Sequence, residues 1–148
     1  MKYRILIISL IFLGIISCSN DDCTDTILKT TSLETEYGCI NTKYQMDIDL
    51  SENHMIIRNQ LDFTELVSGS CQPTIDFSIY DLIIGKKRLG NGNSFIDYTL
   101  VENCETGTQN LIVTFYQNDT TEAPNLTYHA LIPKLENEQE LSVEIIIN

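Results

Sequence analysis

The residues of this chain that could do chemistry are carboxylates, two histidines and scattered hydroxyls. Asp47 and Asp49 alternate within "YQMDIDL", so both project from one face of a strand, and Glu34 and Glu36 repeat that spacing upstream. Hard cations such as Ca²⁺ take oxygen ligands of this kind. The D-x-[DN]-x-[DN]-G loop that folds such ligands around an ion is missing, so a solvated strand face is the expected reading. Nothing marks one of these acids as buried, and a raised-pKa general acid therefore has no support in the sequence. His129 lies in an apolar stretch beside Tyr128, where a hydrogen-bonded structural histidine is expected in preference to a general base. Ser68 and Ser70 lie outside any G-x-S-x-G turn, and there is no H-E-x-x-H. "GKKRLGNG" lacks the Gly-Lys-Ser/Thr of a phosphate loop. Lys86, Lys87 and Arg88 form a basic run in an acidic protein, expected as a solvated hairpin tip or as a docking point for an acidic partner. The residues thus predict no enzyme, no bound metal and no cofactor.

Five cysteines carry more information. Four of them, Cys23, Cys39, Cys71 and Cys104, have no C-x₂-C spacing for zinc, and only His54 and His129 could partner a reactive thiol. An even count suits two disulfides, and three connectivities are open. The fifth, Cys18, stands where the apolar run Ile5–Ile16 gives way to "SNDD". Lys2 and Arg4 precede that run, which completes the plan of a secretory signal. Twelve helical residues rise only about 18 Å, too short for a hydrocarbon core of roughly 30 Å.

Ile15-Ile16-Ser17-Cys18 resembles the lipobox of bacterial lipoproteins, and the resemblance implies cleavage before Cys18 and acylation of that cysteine. Ser19, rather than Asp, follows it, which favours the outer membrane, and "SNDD" looks like the export signal of Bacteroidota surface lipoproteins. The expected location is the outer membrane, lipid-anchored through Cys18 and facing the cell surface, with the periplasmic face as the alternative. The full chain carries a net charge of −12, and loss of Lys2 and Arg4 with the signal makes this −14. So acidic a chain repels nucleic acid.

The supporting elements read as mainly β. Residues 1–17 are expected as signal peptide, 18–35 as a polar tether and 36–148 as one β-rich domain. Tyr44, Met46, Ile48 and Leu50 alternate as a half-buried strand, followed by a short strand at "HMII". Phe63, Leu66 and Val67 have helical spacing, with Asn59 as N-cap and Gly69 as stop. "SGSCQP" reads as a loop. Leu82–Ile84 suggest a strand covered on both faces, and Gly90, Asn91 and Gly92 supply three positions tolerant of positive φ for a turn. Four further strands alternate through Ile96/Tyr98/Leu100, Leu111/Val113/Phe115, Leu126/Tyr128/Ala130/Ile132 and Leu141/Val143/Ile145/Ile147. The predicted fold is a single antiparallel β-sandwich or barrel-like domain with one short α-helix.

From Ile56 onward, "IIRNQLDFTELV", "PTIDFSIYDLIIGKKRLGNG", "LIVTFYQ" and "YHALIPK" follow in an order that resembles the PrcB C-terminal domain family, named for a subunit of a surface protease complex. The resemblance covers about ninety residues. It implies a non-catalytic, lipid-anchored accessory domain with a protein partner in the envelope. A surface carbohydrate- or nutrient-binding lipoprotein is the alternative, which exposed aromatic platforms would favour. If "YDLIIGKK" and "SFIDYTLV" form a hairpin, antiparallel register brings Cys71 near Cys104 and leaves Cys23 to pair with Cys39. The lipobox reading predicts that Cys18→Ala abolishes palmitate labelling of the chain in growing cells; labelling at wild-type level would refute it.

Overall fold

The computed structural model of the chain describes residues 23–136 and 139–148. The signal peptide, Cys18 and the first residues of the expected tether lie outside these. In chain order the elements are β1 (Thr26–Leu28), α1 (Leu33–Tyr37), α2 (Thr42–Gln45), β2 (Met46–Ile48), β3 (His54–Ile57), α3 (Gln60–Leu66), β4 (Val67–Gly69), β5 (Tyr80–Arg88), β6 (Asn93–Glu102), β7 (Gln109–Gln117), β8 (Asn125–Pro133) and β9 (Leu141–Ile147). Among the described residues the class is mainly β and sandwich-like, without a closed barrel. Three short helices among those residues stand where a single one was expected.

Two sheets form the sandwich. One has the order β1-β6-β7-β9 and the other β3-β5-β8, with β2-β4 as a small separate ladder. Between the two larger sheets lies a core of Leu100, Leu111, Val113 and Phe115 against Ile83, Leu126, Ala130 and Ile132. The far face of β3-β5-β8 carries a second core, in which Leu82, Ile84 and Leu131 meet Leu33, Met46, Phe63 and Val67 from the helices and the small ladder. Strands β5 and β8 are therefore buried on both faces; the run Leu82–Ile84 announces this for β5, whereas β8, expected to alternate, also buries Thr127, His129 and Leu131.

Local chemistry accounts for several elements. The Asn59 side chain accepts the Asp62 N–H at 2.9 Å and caps α3 as its sequence position predicts. That helix ends at Leu66, and Val67–Gly69 continues directly into β4, so "SGSCQP" is part strand. Met46 and Ile48 are buried as their alternation requires, but Thr42–Gln45 form a helical turn and Tyr44 is half exposed. Asp81 is fully buried, where it accepts from Lys134 Nζ and the Leu135 N–H, both at 3.1 Å, with Arg58 Nε at 3.7 Å. An unpaired charge there would cost several kcal/mol, so these donors are what keep Asp81 inside.

Three expectations fail on topology. The segments "YDLIIGKK" and "SFIDYTLV" do not form a hairpin: β5 pairs with β3 and β8, whereas β6 pairs with β1 and β7. The link between them crosses from one sheet to the other, with Leu89 buried in the inter-sheet core. Its residues Gly90, Asn91 and Gly92 all avoid positive φ. Gly92 is needed for space instead, because a Cβ there would collide with the side chains of Thr120 and Asn118. The stretch assigned to a tether is docked from Cys23 onward, through β1 on β6 and a bridge between Thr31 and Leu131.

The disulfides follow the true topology. Cys23 bonds Cys104 and Cys39 bonds Cys71, which overturns the expected pairing. Thr26 lies opposite Glu102, and extending that register carries Cys23 to the turn that holds Cys104. The Asp25 carboxylate accepts the Cys104 N–H at 3.1 Å and secures the same corner. Cys39, just past α1, is buried in the helix-covered core, with Cys71 packed on its edge. Non-reducing tryptic maps should join the Cys39 and Cys71 peptides, and Cys39→Ala/Cys71→Ala should cost about 3–4 kcal/mol in denaturant midpoints by the chain-entropy argument. A Cys71–Cys104 peptide would contradict the sheet order.

Candidate functional site

One group of polar side chains converges where the N-terminal helices meet β6 and β8. His129 belongs to the β8 residues that face the helical layer, and it is 2% exposed. Its Nε2 lies 3.1 Å from the Leu33 N–H and 3.1 Å from Glu34 Oε2, while Nδ1 lies 3.4 Å from Thr42 Oγ1. The backbone N–H of His129 donates to the Tyr98 hydroxyl at 3.1 Å, which ties β8 to β6.

The ring has two ways to satisfy these neighbours. Neutral with its hydrogen on Nδ1, it donates to Thr42 and accepts the Leu33 N–H, while the Thr42 hydroxyl donates to Glu34 Oε1. Protonated at Nε2 as well, it donates to Glu34 Oε2 and leaves Leu33 without that acceptor. Burial pushes the Glu34 carboxyl upward, but hydrogen bonding and charge from His129, with the Thr42 hydroxyl, outweigh it and hold the group at about 2. Burial raises Tyr98 well above the usual phenol range. This constellation fixes three elements. The hydroxyl it orients, that of Thr42, is itself buried.

A cavity of about 320 Å³ opens beside this group, lined by Glu34, Thr42, Lys43, Phe95, Tyr98 and His129 among others. Its outer wall is set by a β-bulge. Asn93 lies opposite Gln117 and Phe95 opposite Tyr116, so Ser94 is the extra residue. The buried Asn93 amide donates to the carbonyls of Phe95 and Tyr116 at 3.0 and 3.1 Å and pins the bulge. Lys43 Nζ donates to Asn93 O, Asn93 Oδ1 and Ser94 O at 3.2, 3.1 and 2.9 Å, which clamps α2 onto it. Burial lowers the Lys43 pKa.

The other residues singled out from sequence are placed apart from this site. The Asp47 carboxylate pairs with Lys86, whose hydrogen bond lowers its pKa. Among the described residues, no cluster of three or more His, Cys, Asp or Glu is arranged to hold a metal ion. Lys86, Lys87 and Arg88 end strand β5 rather than cap a hairpin; Lys87 pairs with Glu52 at 3.1 Å, and Arg88 is exposed. Ser68 donates to the Asp47 carbonyl on the small ladder. Glu36 is exposed.

Sequence reasoning weighed His129 and Glu34 separately and passed over Thr42, Lys43, Asn93 and Phe95. The readable signal was "NGNSF", where consecutive polar residues break the alternation at the start of a strand, as a bulge does. Compared with known proteins, the chain matches no family model, no curated protein and no solved structure.

The depressed Glu34 pKa has a signed consequence for stability. The carboxylate stabilises the fold above its unfolded value of 4.5, and this contribution is lost as pH falls from there toward 2. Wild type should be more stable than Glu34→Gln at pH 6, with the difference shrinking across that window in denaturant titrations. A pH-independent difference would show that the His129 contact does not hold the carboxylate in solution.

Proposed function

We propose that this protein is an exported, lipid-anchored, non-catalytic binding module that takes an extended segment of a protein partner onto the edge of β9. The carrying observation is that edge. Among the described residues β9 pairs with β7 alone, in parallel register. Glu140 and Asn148 make its terminal backbone bonds to β7, so in a parallel ladder the even-numbered residues face β7. The N–H and C=O groups of Val143, Ile145 and Ile147 then point outward, in position for another strand.

Natural edge strands are blunted by Lys, Pro, bulges or a covering element. This one reads "LSVEIII", with a single charge and no proline. None of its residues is fully buried, and Ile147 is 46% exposed. Strand addition uses such edges, with the main chain giving affinity and alternate side chains giving selectivity. The mature net charge of −14 disfavours self-association through like-charge repulsion and favours a partner of basic character.

Export is supported by two disulfides, which suit an oxidising compartment, and by the signal-like N-terminus. Attachment to the outer membrane rests on the lipobox-like sequence at Cys18. Service in an envelope complex, including a proteolytic one, rests on the PrcB-like order of apolar segments. The test is a photo-crosslinker placed at Glu144 in cells. It should give one stoichiometric heterologous adduct that Ile146→Lys removes while the melting temperature stays near wild type. No adduct, or an adduct between two copies of the chain, would contradict the reading.

A further inference from the structure

We propose that the cavity beside Glu34 and His129 is a second binding site, and that it takes a neutral sugar residue stacked on Phe95. The aromatic wall is the first reason. Phe95 is 53% exposed although Tyr116 stacks against one face of its ring, with centroids 4.2 Å apart and planes 17° from parallel. Phe95 is also one of the residues that line the cavity. A large aromatic backed by a second ring and still half exposed offers an open ring surface at the rim. The C–H face of a pyranose is apolar with slightly positive hydrogens, and it packs on the negative face of such a ring.

Charge selects among ligands. The rim carries one ammonium, Lys43, and one carboxylate, Glu34, so it offers no net field to select an anion or a cation. The Lys43 hydrogens are already directed at three oxygens of the bulge, so this cation has no donor left for a phosphate or carboxylate. Glu34, by contrast, is an acceptor with lone pairs to spare. Asn41 and Ser94 line the same opening, and the Asn41 side chain does not cap its own helix. An apolar wall facing a carboxylate, an amide and a hydroxyl fits a molecule with one C–H face and a ring of hydroxyls. The volume, about 320 Å³, lies at the lower end for small-ligand sites and suits a hexose-sized unit.

The site is also built in advance. Asn41 holds a left-handed conformation at φ 51°, the bulge at Ser94 is pinned by a buried amide, and Lys43 locks the two together. Non-glycine residues in that conformation cost energy and concentrate at binding sites. A preformed wall has less freedom to lose when a ligand arrives.

Saturation-transfer NMR on the full chain, in a detergent without sugar headgroups, tests this. The probes are methyl glycosides of glucose, galactose, mannose and N-acetylglucosamine, and in a second arm dextran, galactan, mannan and chitin oligomers. At least one glycoside should bind, with affinity falling about tenfold or more in Phe95→Ala and retained in Phe95→Tyr. Binding of a polymer alone, with the same Phe95 dependence, identifies a glycan chain rather than a free sugar as the source. The proposal is overturned if no probe of either arm binds, or if Phe95→Ala binds as well as wild type. Ile146→Lys should leave sugar binding unchanged, so this result is independent of the β9 edge.

Discussion

The structure turns on a buried histidine in the middle of a strand that is covered on both faces. His129 contacts α1 through Leu33 and Glu34, α2 through Thr42, and β6 through its own backbone and Tyr98. An imidazole is a costly group to bury unless its polar atoms are engaged, and here the contacts come from three different elements. The helical layer, the central sheet and the outer sheet are thereby fixed relative to one another at a single point. The cavity wall, the lowered Glu34 pKa and the seating of the N-terminal segment all depend on that point.

Around this junction the molecule divides its work in space. The central sheet supplies apolar burial on both sides, and of the described acidic side chains Asp81 is the one it takes inside, paired with Lys134. The two disulfides staple segments with little burial of their own: β1 at the edge of the outer sheet, and the loop after α1 in the helical layer. The parallel edge strand β9 lies on the outer sheet, at the end of the strand order opposite β1. An extended partner on β9 and a small ligand in the cavity would therefore engage different groups.

Much of the strand content was legible because it depends on local alternation. Val113 and Phe115 on β7, and Leu126, Tyr128, Ala130 and Ile132 on β8, are buried as their spacing requires, and the Asn59 cap follows from its place before Phe63. Pairing was not legible. A glycine-rich turn after "LIIGKK" fits a hairpin and a crossover equally well, and the burial of Leu89 decides for the crossover only in three dimensions. The disulfide connectivity failed with it, since both pairs depend on which sheet β6 joins. The parallel β9 carries the same alternation as an antiparallel strand. The site was least readable: Leu33 and His129 are 96 residues apart, and no local pattern links them.

The central claim is that His129 and Glu34 act as one unit. A double-mutant cycle of His129→Gln and Glu34→Gln, read by denaturant unfolding at pH 6, tests it most directly. The account predicts a coupling of about 1 kcal/mol or more between the two substitutions. Additive losses, with coupling near zero, would contradict it.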